Sequence, residues 1–114
     1  MNITIFPKKL NGTVRAIPSK SAAHRLLICS AFASEETHLI CRDTNRDIEA
    51  TADCLRSLGA DIKRTEDGYH VTPISTIPDS AVLNCCESGS TLRFMLPIVG
   101  ATWCAESDFI SHGR

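Results

Sequence analysis

The sequence predicts an α+β fold, with helices lying against a small mixed sheet. Three observations carry that expectation. Apolar segments at helical spacing alternate with short strand-like runs along the chain. A hairpin signal, ADIKRTEDGYHVTP, lies in mid-chain with Asp67-Gly68 at its turn. The 114 residues are 43% hydrophobic and 22% charged, the balance of an ordinary globular protein with a modest core.

Taken in order, residues 2–6, NITIF, read as a short strand ended by Pro7. Lys8 to Gly12 reads as a turn, and Thr13 to Ile17 as a second extended piece before Pro18. From Ser19 the period changes. Ala22, Ala23, Leu26, Leu27, Cys29, Ser30, Ala31 and Phe32 form a broad small-and-apolar face. Ser19 or Ser21 caps a helix expected from about Lys20 to Ala33. HLIC, 38–41, reads as a buried strand followed by the polar loop RDTNRD. Ile48, Ala52, Leu55 and Leu58 mark one face of a second helix, with Asp47 as its expected cap and Gly59 at its C′ position. The hairpin follows, then a strand over Val82 to Cys85. ESGSTLRFMLPIVGA reads as a third helix with Glu87 and Ser88 at its mouth and Pro97 inside, and WCAESDFI as a last strand. SKSAAHRLL and SGSTLRFML resemble each other as a weak internal repeat, although shared capping chemistry accounts for the likeness equally well.

A net charge of −1 implies no general attraction to nucleic acid or to an anionic membrane. Any anion site must therefore come from local placement of Lys and Arg. No apolar stretch approaches the roughly 20 residues of a membrane span. The N-terminus lacks a basic segment followed by an apolar one, so no secretory leader is expected. Cys29, Cys41, Cys54, Cys85, Cys86 and Cys104 show no CxxC pairing, which gives a metal or redox role little support. They are expected as reduced thiols of a cytoplasmic protein.

Chemistry concentrates at two helix mouths. Pro18-Ser19-Lys20-Ser21 opens the first helix, where unpaired backbone N–H groups and the positive end of the dipole favour an anion. Lys20 adds a charge and Ser21 a hydroxyl. Arg25, four residues after Ser21, lies on the same side one turn on, and its planar fork suits phosphate or carboxylate. Together they describe a cationic cup for a phosphoryl group. The spacing alone describes a capped surface helix with solvated Lys and Arg at least as well. The nucleotide motif GxxxxGK[ST] is absent, so ATP binding is not indicated. The second mouth holds Glu87, Ser88, Gly89, Ser90 and Thr91, with Arg93 beyond. Gly89 would admit a ligand close to the backbone, and a plain capped helix start is again the alternative. His24, beside Arg25, is a weaker candidate that could equally be a solvated helix residue. His38, His70 and His112 share no metal-ligand spacing, and Asp47 could hold Arg46 or Lys20 as well as cap its helix.

In this order, PSKSAAHRLLICSAFAS, DIEATADCLRSLGADI, ESGSTLRFMLPI and FISHGR resemble the enolpyruvyl transferases, most closely the EPSP synthase family. Each piece is weak by itself; the ordered set across nearly the whole chain is specific. Pro18 directly precedes Ser19, without the glycine that many members carry. The resemblance implies a partial inside-out α/β barrel domain, a βαβαββ unit over about 13–84 and the start of a second over 85–114. It implies transfer of the enolpyruvyl group of phosphoenolpyruvate to the 5-hydroxyl of shikimate 3-phosphate, a step of aromatic amino acid biosynthesis. Neither a metal nor an organic cofactor is implied. Lys20, Ser21 and Arg25 match residues that hold shikimate 3-phosphate, Lys20 also reaching phosphoenolpyruvate. Gly89, Ser90 and Arg93 match the phosphoenolpyruvate side. Members are several times longer, so the chain is expected to be a fragment of the N-terminal domain. It carries part of the site, is inactive alone, and is prone to self-association where the parent is monomeric. The competing classes are a non-catalytic interaction module and, with less support, a cysteine-based metal or redox protein.

Overall fold

A computed structural model describes residues 2–4, 6–7, 9, 11–14, 19–102 and 104–112. Among them the order is α1 (Lys20–Ala31), β1 (Thr37–Ile40), α2 (Arg46–Ser57), β2 (Asp61–Arg64), β3 (Gly68–Thr72), β4 (Ser80–Cys86), α3 (Gly89–Ala101) and β5 (Glu106–Ser111). From α1 onward this is the expected succession. The two extended segments expected before it differ. The described residues of 2–6, with Thr13 and Val14, form no strand, and Ile3, Phe6 and Val14 stand exposed. A strand needs a neighbour to share its ladder, and no described strand pairs with these residues. Position 5 and positions 15–18, which complete those expectations, lie outside the described residues, as does Arg114.

Local chemistry explains the helices. Ser19 caps α1, its hydroxyl accepting from the Ala22 N–H at 3.3 Å. α1 ends at Ala31, two residues before the expected Ala33. α2 is capped by Asn45, whose Oδ1 accepts from the N–H groups of Asp47 at 3.0 Å and Ile48 at 3.1 Å. The expectation that Asp47 is the cap is therefore corrected. Asn45 has the extended backbone a cap requires, and Asp47 already lies inside the first turn. Gly59 follows α2 with φ +104°, and a Cβ there would stand 2.8 Å from the Thr76 carbonyl, so both backbone and space demand glycine. Ser88 caps α3, and Pro97 is carried within that helix on its exposed side.

The strands form two sheets rather than the one mixed sheet expected. β1, β3 and β2 make an antiparallel sheet in that order, pairing Leu39 with Tyr69 and Ile62 with Val71. β4 and β5 pair in parallel, Leu83 beside Phe109. Parallel strands need a crossover, and α3 supplies it. The hairpin connection spans 65–67, closed by the Thr65 N–H on the Gly68 carbonyl at 2.9 Å. Gly68 belongs to β3 rather than to the turn. Its glycine is required because a Cβ would collide with the Leu39 carbonyl of β1. Arg64 braces the far side, donating to the carbonyls of Cys41 and Gly68 at 2.9 Å while lying over the Tyr69 ring.

α2 is the hub. It packs on β4 and touches α1, α3 and β2. Ile48, Ala52, Cys54, Leu55 and Leu58 are fully buried with Leu27 and Ala31 of α1, Tyr69 and Val71 of β3, Leu83 and Cys85 of β4, and Met95 of α3. Burying each of these larger side chains contributes roughly 1.5–3 kcal/mol of transfer free energy. This core holds the starts of the three helices in one neighbourhood.

Candidate functional site

The first turns of α1, α2 and α3 are joined by side chains. Lys20 Nζ donates to Asp47 Oδ2 at 2.6 Å, tying α1 to α2. One turn deeper, His24 Nδ1 lies 2.7 Å from Thr51 Oγ1. Thr51 in turn meets Thr91 of α3 at 2.8 Å. Thr91 Oγ1 reaches the Asp47 main-chain oxygen at 3.2 Å and the Ser88 hydroxyl at 2.8 Å. Phe94 of α3 closes the third side, its ring 5.9 Å from that of His24 and 5.7 Å from the Arg25 guanidinium carbon. Three positive dipole ends thus share one region, which favours an anion, although the caps already take the N–H groups of Ala22, Asp47, Ile48 and Thr91.

The residues singled out from the sequence sit as follows. Lys20, Ser21 and Arg25 are exposed in the first turns of α1. The Lys20 side chain is 53% exposed although paired with Asp47. Lys20 leans on α2 and Arg25 on α3. Five residues apart, they project about 140° from each other around the helix axis. Their positive ends therefore lean apart onto two neighbouring helices, a departure from the single cup expected, and Asp47 offsets one of them. Gly89 opens α3, and a Cβ there would meet nothing within 4 Å. No packing among the described residues explains its glycine. Ser90 is half-buried, and Arg93 is exposed with its Nε donating to the Gly89 carbonyl at 3.3 Å.

His24 excludes the solvated reading. It is 1% exposed, not a solvated helix residue. It lies on the stripe of Ala23, Leu27 and Ala31 that faces the core. That spacing, one residue after Ala23 and three before Leu27, is the signal that could have placed it inside. Burial lowers its pKa below the ordinary 6.5, the Asp47 carboxylate partly opposes this, and Lys20 adds to the lowering. Ser88 and Thr91, both buried, belong to the second helix mouth that the sequence singled out, whereas the buried Thr51 carried no sequence signal.

A cavity of about 730 Å³ opens beside this region, lined by Asn45, Asp47, Glu49, Asp53, Cys86 and Glu87 among others. Asp47, Glu49, Asp53 and Glu87 outnumber Arg46 in this lining, a balance that does not favour an anion. All six cysteines are free thiols. Burial raises the pKa of Cys41, Cys54 and Cys85. Among the described residues no group of three or more His, Cys, Asp or Glu is placed to hold a metal ion, and no helix is long and apolar enough to cross a membrane.

Comparison with known proteins gives a consistent likeness. The family model described as EPSP synthase (3-phosphoshikimate 1-carboxyvinyltransferase) matches residues 6–107. A 3-phosphoshikimate 1-carboxyvinyltransferase of Clostridium perfringens (strain SM101 / Type A) is 43% identical over 84% of this chain and 23% of its own length. That of Clostridium beijerinckii is 38% identical over 99% of this chain and 28% of its own. The chain thus spans about a quarter of the length of these curated relatives. The structure of EPSP synthase from Acinetobacter baumannii superposes with a TM-score of 0.59 at 21% identity, covering 74% of this chain and 20% of that one, which is a likeness of fold.

Proposed function

The chain belongs to the EPSP synthase family, and from that premise we propose that it carries part of the site for enolpyruvyl transfer from phosphoenolpyruvate to the 5-hydroxyl of shikimate 3-phosphate. In this reading C3 of phosphoenolpyruvate gains a proton while the 5-hydroxyl oxygen loses its own and bonds to C2. The tetrahedral adduct then gives up a C3 proton and expels phosphate, which restores the carbon–carbon double bond. Lys20, Ser21 and Arg25 hold the phosphate of shikimate 3-phosphate, and Lys20 reaches phosphoenolpyruvate. Gly89 and Ser90 offer backbone and hydroxyl donors to the second anion, with Arg93 nearby. The reaction draws on no metal or organic cofactor, and its setting is the cytoplasm.

The observation that carries this reading is the meeting of three helix N-termini, with Lys20 Nζ and the Arg25 guanidinium exposed at the first of them. Two multiply charged substrates must lie side by side, and cations with fixed dipoles offset their repulsion better than water can. Holding them together replaces a slow bimolecular encounter by reaction of bound partners. We read 13–84 as the first βαβαββ unit of an inside-out barrel and 85–114 as the start of the next. With so few of the charges this chemistry needs, the 114-residue chain alone gives no turnover. Leu26 of α1 and Ile40 of β1, half or more exposed, make the isolated chain self-associate.

Titration of the chain with shikimate 3-phosphate, followed through amide shifts, tests the site. Saturable shifts confined to Lys20–Arg25 support it. Their absence at millimolar ligand rejects it in favour of a non-catalytic interaction module.

A further inference from the structure

His24 has a hydrogen-bond role that its protonation state can be read from. Its ring is buried, Nδ1 contacts Thr51 Oγ1 at 2.7 Å, and Nε2 is the buried side-chain polar atom left without a partner among the described residues. The chain of contacts runs His24, Thr51, Thr91 and then the Asp47 main-chain oxygen, which can only accept. Each threonine has one hydroxyl hydrogen. If Thr91 donates to Asp47, the 2.8 Å contact between the threonines must use the hydrogen of Thr51. Thr51 then has none left for His24, so Nδ1 must carry the proton. The Ser88 hydroxyl, which accepts from Thr91 at 2.8 Å, competes with Asp47 for the same hydrogen, and either choice leaves the contact between the threonines to the hydrogen of Thr51. The reverse direction leaves both of these contacts without a hydrogen. One direction therefore serves the relay from His24 through Thr51 to Thr91, at the cost of a bare Nε2 lone pair.

We propose that His24, as the neutral Nδ1–H tautomer, is a positioning residue: through Thr51 and Thr91 it sets the mouth of α1 against that of α3, and so governs how well Lys20 and Arg25 hold a phosphate-bearing ligand. The inference rests on the reading of the α1 mouth as a phosphate site. Lys20 is one turn before His24 and Arg25 directly follows it, so a small rotation of α1 displaces both cations. The donor spans that gap because Thr51 stands on α2 and Thr91 on α3. Phe94, touching both His24 and Arg25, shares the same alignment.

The experiment uses the 114-residue chain. A long-range ¹H–¹⁵N spectrum at neutral pH is expected to show His24 protonated at Nδ1 and bare at Nε2; an Nε2–H or doubly protonated ring overturns the proposal. Three variants then separate a directed bond from simple filling of space. Asparagine places an N–H close to the position of Nδ1, glutamine places one close to Nε2, and leucine has neither. His24→Asn should bind shikimate 3-phosphate within about twofold of the native chain, and His24→Gln and His24→Leu about tenfold more weakly. Equal loss in all three, or equal retention, overturns the positioning role. If the native chain gives no response to shikimate 3-phosphate, the substrate reading fails. The tautomer and the ligand-free amide shifts of Ser88–Ser90, native-like in His24→Asn and displaced in His24→Gln, still decide the positioning claim. Should the variants not fold, the native spectrum decides it.

Discussion

Lys20 Nζ lies 2.6 Å from Asp47 Oδ2, so the cation at the start of α1 is held by the first turn of α2. The same Asp47 accepts from Thr91 through its main-chain oxygen, which makes one residue the meeting point of all three helices. An anion arriving at the α1 mouth must share Lys20 with a carboxylate. Asp47→Asn should therefore tighten binding of shikimate 3-phosphate about three- to tenfold, and Lys20→Met should weaken it by at least as much. Stability should fall by less than about 1 kcal/mol in either case, because the pair is exposed. Calorimetric titration of the two variants checks this. Weaker binding by Asp47→Asn would show that the carboxylate orders Lys20 rather than competing with the ligand.

Acid should destabilise the chain through His24. Burial depresses its folded pKa below the ordinary 6.5, with Lys20 in the same sense and Asp47 opposing. Below that ordinary value the unfolded chain takes up a proton that the folded chain refuses, so stability is complete above it and is lost as pH falls toward the folded pKa. The urea midpoint should drop between about pH 7 and pH 5, and His24→Asn should flatten the drop. A midpoint equally pH-dependent in both proteins would assign the effect to other groups.

Cys86 should be replaceable by glycine with profit. It has φ +51° at the irregularity where β4 leaves its register with β5, directly before the α3 mouth. Its N–H meets Asn84 Oδ1 at 3.0 Å and its carbonyl accepts from the His112 N–H at 2.9 Å, which hold that conformation. A side chain there costs about 1 kcal/mol, so Cys86→Gly should raise stability by up to that amount and the β-branched Cys86→Val should lower it. Denaturant unfolding of both variants measures the pair. Opposite signs from those expected would mean that the exposed thiol makes a compensating contact.

The thiols should react in two classes. Cys29 and Cys86 are exposed and Cys104 is half-buried, whereas Cys41, Cys54 and Cys85 are buried with raised pKa values. A chromogenic disulfide reagent at neutral pH should label Cys29 and Cys86 first and Cys104 more slowly. The buried three should react only as urea unfolds the chain. Mass mapping of early products decides it, and early label on Cys54 or Cys85 would contradict their packing between α2 and β4.

What the sequence determined is what neighbours within about four residues decide. Ser19 and Ser88 announce their helices, Gly59 ends the second, and the hairpin is legible from the runs either side of Asp67-Gly68. The ordered motifs were enough to find the family. Tertiary structure alone decided the rest, because burial and partnership are set by groups distant along the chain. Strand pairing divided one expected sheet into two and left the described residues of the first extended segments unpaired. From the sequence Asp47 could cap its helix or hold Arg46 or Lys20, and only the fold, which brings Lys20 from 27 residues earlier to its carboxylate, chose among these. His24 could be a solvated helix residue until Thr51, 27 residues later, meets its ring, and Thr91 joins from 40 residues beyond that. A cap answers to its own turn of helix, whereas the state of a buried imidazole answers to whatever the folded core places against it.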